Sequence, residues 1–186
     1  MPSQAKNRLY TYADYRLWDD SERMELVKGV PHAMSPATST KHQLVSAALV
    51  RILGNYLFGK PCKLFHAPYD VRLKGMGDDD DTVLQPDIIV VCDQSKLDEH
   101  GCNGAPDLVM EILSPSTSGY DKVVKLNLYW QAGVHEYWIV DTADKTIQKY
   151  ILKDGEYVIR GYAEADSVPV STLEGCVVDL SQVFTE

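Results

Sequence analysis

No stretch of the chain approaches the roughly 18 consecutive apolar residues that a membrane-crossing helix needs, and the N-terminus has no apolar core behind a basic start. The expectation is therefore a cytoplasmic protein with no membrane partner. Cysteine is sparse. The four present, Cys62, Cys92, Cys102 and Cys176, form no CxxC pair and have no closely spaced histidine, so neither a zinc site nor a disulfide framework is expected. Cys62 and Cys92 fall in strand-like apolar runs, where cysteine serves as a small hydrophobe. A basic surplus is missing too: 18 Lys and Arg face 27 Asp and Glu, a net charge of −9. That balance argues against a protein that holds nucleic acid through a general basic surface. Part of the negative charge is local, because Asp78 to Asp81 form an unbroken run. Adjacent side chains splay apart, so the run reads as a solvated loop tip rather than a metal site. Beyond it there are no repeats and no low-complexity segments.

What is present is enough for one folded domain over residues 1–186, since the chain is 45% apolar. Residues 1 to 9 are polar and expected to fray. Thr11 looks like the N-cap of a short helix through Trp18. Met24 to Val27 and Val30 to Met34 read as a hairpin turning at Lys28-Gly29. Ser39 or Thr40 caps the clearest helix, in which Leu44, Val45, Ala48, Leu49, Ile52, Leu53 and Tyr56 recur at helical spacing until Gly59-Lys60-Pro61 ends it. Lys63 to Leu73 alternates like one long strand, and Asp93 to Gly104 reads as a loop. Further on, His135 to Asp141 is strand-like, Thr146 to Leu152 and Glu156 to Arg160 form a hairpin, and the last twenty residues add a strand at Cys176 to Val178 and a helical turn at Leu180 to Phe184. The class is α/β (α+β), a mixed sheet flanked by helices.

The chemistry concentrates between Gln85 and Lys125. Two Ile/Val-rich runs, QPDIIVVCD and APDLVMEIL, have the length of buried strands, and each carries a carboxylate. Asp87 opens the first; Glu111 sits mid-strand in the second, where an ionised group is costly unless it is paired or bound to a metal. Alternation puts Asp107, Val109, Glu111 and Leu113 on one face and Leu108, Met110 and Ile112 on the other. A turn at Ser114 to Gly119 then leads into a helix that begins with Lys122 and Lys125, so strand, turn and helix could bring an ammonium over Glu111. Two carboxylates and a lysine suit a hard cation and a phosphate. Taken singly, each residue has an ordinary explanation as well: a strand-end carboxylate, an ion pair, a solvated lysine. Glu25, alternating with apolar neighbours, reads as a solvent-facing or structurally paired residue before it reads as a cleft residue. His42, in the first turn of its helix, reads as a neutral surface histidine before it reads as a contact to phosphate or to a metal-bound water.

The sequences QPDIIVV, PDLVMEILSPST, YDKVVK and LYWQAGVHEYWIVD, with MELVKG and STKHQ upstream, resemble the large bacterial "putative restriction endonuclease" family of the PD-(D/E)XK nuclease superfamily. The likeness runs from about Tyr10 to Tyr150. It implies a restriction endonuclease-like αβββαβ core over about residues 38–141, with an N-terminal hairpin and a C-terminal β-hairpin added. It implies Mg²⁺, with Mn²⁺ as a substitute, held by Asp87, Glu111 and the main-chain carbonyl of Ile112. His42 and Glu25 join the candidate catalytic set on the same ground. Where the superfamily pattern has lysine two residues after the acid, this chain has Leu113, so the lysine role passes to the helix. Lys125 is the better candidate there, lying deeper than Lys122 and three and four residues before Leu128 and Tyr129. On this reading Lys125→Ala leaves the fold and metal affinity nearly intact and lowers cleavage by a factor of about a hundred or more.

The implied function is a Mg²⁺-dependent endonuclease that hydrolyses phosphodiester bonds in DNA, double-stranded by expectation. The alternative is a catalytically silent scaffold binding nucleic acid or a protein partner. Cutting both strands with one site per chain is most simply done by a two-fold pair, so a homodimer is expected.

Overall fold

The computed structural model describes residues 8–18, 23–34, 39–114, 119 and 121–185. The N-terminal residues 1–7 and residues 115–118 of the expected turn lie outside the described residues. A one-turn helix α1 (Tyr12–Tyr15) leads into the hairpin β1 (Met24–Val27) and β2 (Val30–Ala33), and then into the long helix α2 (Thr40–Leu57). β3 (Lys63–His66), β4 (Val71–Arg72), β5 (Val83–Leu84), β6 (Ile88–Val91), β7 (Leu97–Asp98), β8 (Gly101–Asn103) and β9 (Leu108–Ile112) follow. A π-helical turn over Asp121–Lys125 enters α3 (Leu126–Ala132), and β10 (Glu136–Asp141), β11 (Thr146–Lys153), β12 (Glu156–Ala163), β13 (Ser167–Pro169) and β14 (Val177–Asp179) complete the chain.

Local sequence explains the main elements. Lys28 and Gly29 both take positive φ, 50° and 78°, the two-residue turn that matches the twist of the strands it joins. Ser39 caps α2 by accepting the His42 N–H at 3.2 Å. The helix buries Val45, Leu49, Leu53 and Leu57, one stripe at a spacing of four, while Leu44 stays 51% exposed. α3 stops at Gly133, whose φ of 79° is the left-handed cap conformation.

The strands form two six-stranded sheets and one two-stranded sheet. The order β12-β11-β10-β9-β6-β3 makes the central one, in which β9 and β10 run parallel and the other neighbours antiparallel. Taken along the chain, α2, β3, β6, β9, α3 and β10 give the αβββαβ succession, with α3 in the crossover that a parallel pair requires. The second sheet, β2-β1-β5-β4-β8-β7, packs on the α3 side.

β6 and β9 are buried on both faces. Ile88, Val90, Leu108, Met110 and Ile112 pack with the α2 stripe and with Val168 and Val178 of the small sheet. Ile89, Val91, Val109 and Leu113 pack with Leu128 and Tyr129, and with Val71 and Leu84 of the second sheet. The alternation expected for β9 is therefore what the core shows. No helix among the described residues is long and apolar enough to cross a membrane.

Four expectations are corrected. The single strand over 63–73 is two strands in different sheets, because Pro68, which has no N–H for a ladder, separates β3 from β4. The loop expected over 93–104 contains the antiparallel pair β7 and β8. Cys62 and Cys92 are joined by a disulfide across 30 residues; the β3–β6 register, Lys63 opposite Val91, sets the two cysteines opposite each other one step further on. Asp80 is fully buried rather than solvated, accepting N–H groups of Lys74 at 2.8 Å and Thr82 at 2.9 Å to hold the loop closed.

Candidate active site

β6 and β9 bring the two sequence-predicted carboxylates together. Their antiparallel register pairs Ile88 with Met110, and one further step along both strands sets Asp87 opposite Glu111 on the same face of the sheet. Asp87 is fixed by the neighbouring strand: its Oδ2 accepts the Ile112 N–H at 2.8 Å. The same oxygen lies 3.3 Å from His42 Nε2 at the start of α2. The Asp87 side chain keeps 20% of its surface exposed, the opening through which a ligand can reach it.

Glu111 is only 4% exposed, and its charge is met from the π-helical turn and the start of α3. Lys125 Nζ lies 3.0 Å from its Oε1, and the Tyr129 hydroxyl donates to the same oxygen at 2.7 Å. Lys125 and Tyr129 are four apart, so one helix face presents both. Lys125 is itself 4% exposed and also contacts Glu25 Oε1 at 3.0 Å. Glu25, 3% exposed on β1, accepts the Gln85 N–H at 3.0 Å as well. Burial, followed by the adjacent Glu111 charge, pushes the Tyr129 hydroxyl well above its ordinary value, so it stays a donor. Lys125 thus bridges two buried carboxylates on different strands and ties the second sheet to the central one.

The predicted residues Asp87, Glu111, Ile112, Lys125, Glu25 and His42 all meet in this one region. Lys122 does not: its side chain is 44% exposed, 3.9 Å from Asp141. Of the two readings of Glu25, solvent-facing or structurally paired, the structure keeps the second: it is buried and paired with Lys125, because β1 packs against the α3 side of the sheet. His42 is 4% exposed, not a surface residue, because the start of α2 closes over Asp87. Its Nδ1 is buried with no hydrogen-bond partner among the described residues. Tyr129 and Gln85 are site residues beyond those expected from the sequence; the spacing of four from Lys125 is the available signal for Tyr129.

No group of three or more His, Cys, Asp or Glu side chains among the described residues is arranged to hold a metal ion. The donor set is instead two carboxylates beside one backbone segment. That set fits a hard, mostly hydrated cation, which takes one or two carboxylates and leaves its other positions to water and phosphate. Asp87 Oδ1 accepts no hydrogen bond from the described residues, in keeping with such a role.

This constellation on an αβββαβ core has the form of a nuclease. A crystal structure of a putative nuclease belonging to DUF820 from Anabaena variabilis ATCC 29413 superposes with a TM-score of 0.73 at 20% identity, covering 94% of this chain and 97% of that one. The Uma2 family model, described as a putative restriction endonuclease, matches residues 12–181, and the chain belongs to that family. An uncharacterized protein of Synechocystis sp. (strain ATCC 27184 / PCC 6803 / Kazusa), slr1290, is 27% identical over 164 residues, 86% of this chain and 84% of that protein. A nuclease-like function follows from the family.

Proposed function

We propose that the chain is a Mg²⁺-dependent DNA endonuclease, with Mn²⁺ able to substitute, that hydrolyses phosphodiester bonds at Asp87 and Glu111. One observation carries the reading: a lysine held almost wholly out of solvent against Glu111, on the sheet face that Asp87 shares. Asp87, Glu111 and the Ile112 carbonyl would hold the cation, which when bound lowers the pKa of a water and offsets charge on the phosphate. The chain's own groups do the rest. Lys125 supplies a fixed positive charge toward the phosphate, and Glu25 and Tyr129 fix the geometry of Lys125 and Glu111. His42 acts as a positioning residue, holding the same Asp87 oxygen that accepts the Ile112 N–H.

The test is calorimetric titration of Mg²⁺ and Mn²⁺ into the parent and Asp87→Ala, paired with cleavage of supercoiled and linear DNA. Metal binding and nicking in the parent, both lost in the variant, are expected. Absence of metal binding in both proteins overturns the proposal in favour of a silent scaffold.

The proposal includes a two-fold dimer for cutting both strands. β12 is an edge strand of eight residues with Val158 and Ile159 exposed. Antiparallel pairing of two copies about Val158 would set Glu156 of each opposite Arg160 of the other. Sedimentation should show a dimer that Val158→Lys converts to monomer; a monomeric parent at micromolar concentration refutes it.

A further inference from the structure

A cavity of about 480 Å³ is lined by none of Asp87, Glu111, Lys125, Glu25 and His42, but two segments connect it to the acidic centre. Met24 lines the cavity while the next residue, Glu25, turns inward to Lys125; Gln85 lines it two positions before Asp87. The walls combine the rings of Tyr15, Trp18 and Tyr69 with the polar groups of Asp70, Arg23 and His100. The volume lies within the range of small-ligand pockets.

The rings are held in place. Tyr69 stacks on Phe65 with centroids 4.3 Å apart and planes at 12°, and Tyr15 and Trp18 lie 5.2 Å apart. The polar groups form a continuous network. Asp70 Oδ1 accepts from Gln85 Nε2 at 3.0 Å and from the Tyr15 hydroxyl at 3.3 Å, and Oδ2 accepts from the Tyr12 hydroxyl at 3.2 Å. Arg23 holds the Gln85 side-chain oxygen at 3.0 and 3.3 Å, while the Gln85 main-chain N–H goes to Glu25. At the rim, Gly101 has φ of 135°, and a Cβ there would stand 2.3 Å from the Asp70 carbonyl oxygen, so only glycine lets β8 close against Asp70.

The chemistry of this cavity selects its ligand class. An ammonium group would meet Arg23, and a phosphate would meet Asp70 and Glu99. A planar neutral heterocycle with donors and acceptors on its edge meets ring faces, a carboxylate and cationic donors together. A carboxylate has about four acceptor positions, and the Gln85, Tyr15 and Tyr12 donors fill at most three on Asp70, which leaves at least one for an exocyclic amino group. We propose that the cavity takes one unstacked nucleobase of the substrate strand, beside the phosphate that reaches Asp87. The proposal rests on the nuclease reading for its substrate, and the site would select substrates that are single-stranded or locally opened.

The experiment compares, in EDTA, the affinity of the full chain for a fluorescein-labelled single-stranded oligonucleotide and for an oligonucleotide of equal length made of abasic residues. The parent should prefer the base-bearing strand about tenfold or more, the effect of one base–aromatic stack. Trp18→Ala and, separately, Tyr69→Ala should each bring the ratio close to one while leaving the abasic affinity unchanged. Circular dichroism confirms folding, and Trp18→Phe, which retains a ring, should keep most of the preference. A ratio near one in the parent, no binding of either strand, or a ratio that survives both alanine variants overturns the proposal. Cleavage with Mg²⁺ is scored separately. A base preference without cleavage leaves the cavity assigned and sinks the nuclease reading; cleavage without a base preference does the reverse.

Discussion

Replacing Lys125 tests how the two sheets and the acidic centre are joined. The lysine is 4% exposed and lies 3.0 Å from both Glu25 and Glu111, themselves 3% and 4% exposed. Lys125→Met keeps the length and apolar stem but removes the charge, leaving two buried carboxylates facing each other. Breaking one buried ion pair by removing a single partner costs about 3 to 5 kcal/mol. For a chain of this length that corresponds to a fall of about 6 to 20 °C in the unfolding midpoint. This is at odds with the sequence-based expectation of a nearly intact fold, because Lys125 compensates two buried carboxylates at once.

The assay is urea unfolding at neutral pH of the parent, Lys125→Met, and Lys125→Met combined with Glu25→Gln and Glu111→Gln. The single variant should lose stability on that scale, and the triple variant should regain most of it, because neutral amides of the same shape no longer confront each other uncompensated. A loss below about 1 kcal/mol in Lys125→Met, or a triple variant no more stable than the single, refutes the reasoning. Activity must then be read per folded molecule. A drop of about a hundredfold in cleavage that remains after that correction is the electrostatic share of the lysine.

Two further outcomes follow from buried charge elsewhere. Lys149 and Glu136, 1% and 0% exposed, meet at 3.3 Å, and Lys149 also donates to the Pro169 carbonyl and, at 3.0 Å, to Ser171, tying β11 to the small sheet. Lys149→Met should cost about 3 to 5 kcal/mol, and adding Glu136→Gln should recover part of it; a loss within 0.5 kcal/mol, the scale of about a neutral surface change, would show the pair to be dispensable. Burial raises the Asp70 carboxyl above its ordinary value, against the opposing hydrogen bonds of Gln85, Tyr12 and Tyr15. A raised folded-state value means the native state holds its proton more tightly, so this contribution is complete below about pH 3.9 and is lost as pH rises through the folded-state value. Stability of the parent relative to Asp70→Asn should therefore decline as pH rises from about 4, and a gap that stays constant or widens in the parent's favour contradicts it.

The parts of the fold that were legible in the sequence are those in which one local signal decides. Ser39 before an apolar stripe fixed the start of α2, and Lys28-Gly29 fixed the β1–β2 turn. The alternation of β9 placed Glu111 on the α3 side because both faces of that strand are buried and any other register would bury different residues. The misread segments depended on partners far along the chain. The run from Lys63 to Leu73 alternates throughout, yet β3 pairs with β6 and β4 pairs with β5 and β8, and periodicity carries no information about which sheet a strand joins. The Cys62–Cys92 bond was hidden for the same reason: the cysteines are 30 residues apart, and only the β3–β6 register opposes them.

The site followed the same division. Asp87, Glu111 and the choice of Lys125 over Lys122 could be reached from strand alternation and helix depth, since Asp87 precedes β6, Glu111 lies in β9 and Lys125 in the helical segment that follows it. Glu25 could not, because its role arises where β1 of the second sheet meets α3 of the central one. Alternation among apolar neighbours says only that a residue faces one way or the other. It does not say whether that way is water or another sheet. His42 was misplaced by the opposite error, in which a helix-start residue was assigned to the surface although the capped end of α2 is where the helix meets Asp87. In both cases the polar side chain is the one that the packing of separate elements turns inward. A carboxylate or imidazole buried at a junction between sheets has to find its partner there, and in this chain the partners found are Lys125 and Asp87. The acidic centre is thus assembled by tertiary contact around a strand pair that local sequence defines, which is why its two carboxylates and Lys125 are legible in local sequence and the burial of Glu25 and His42 is not.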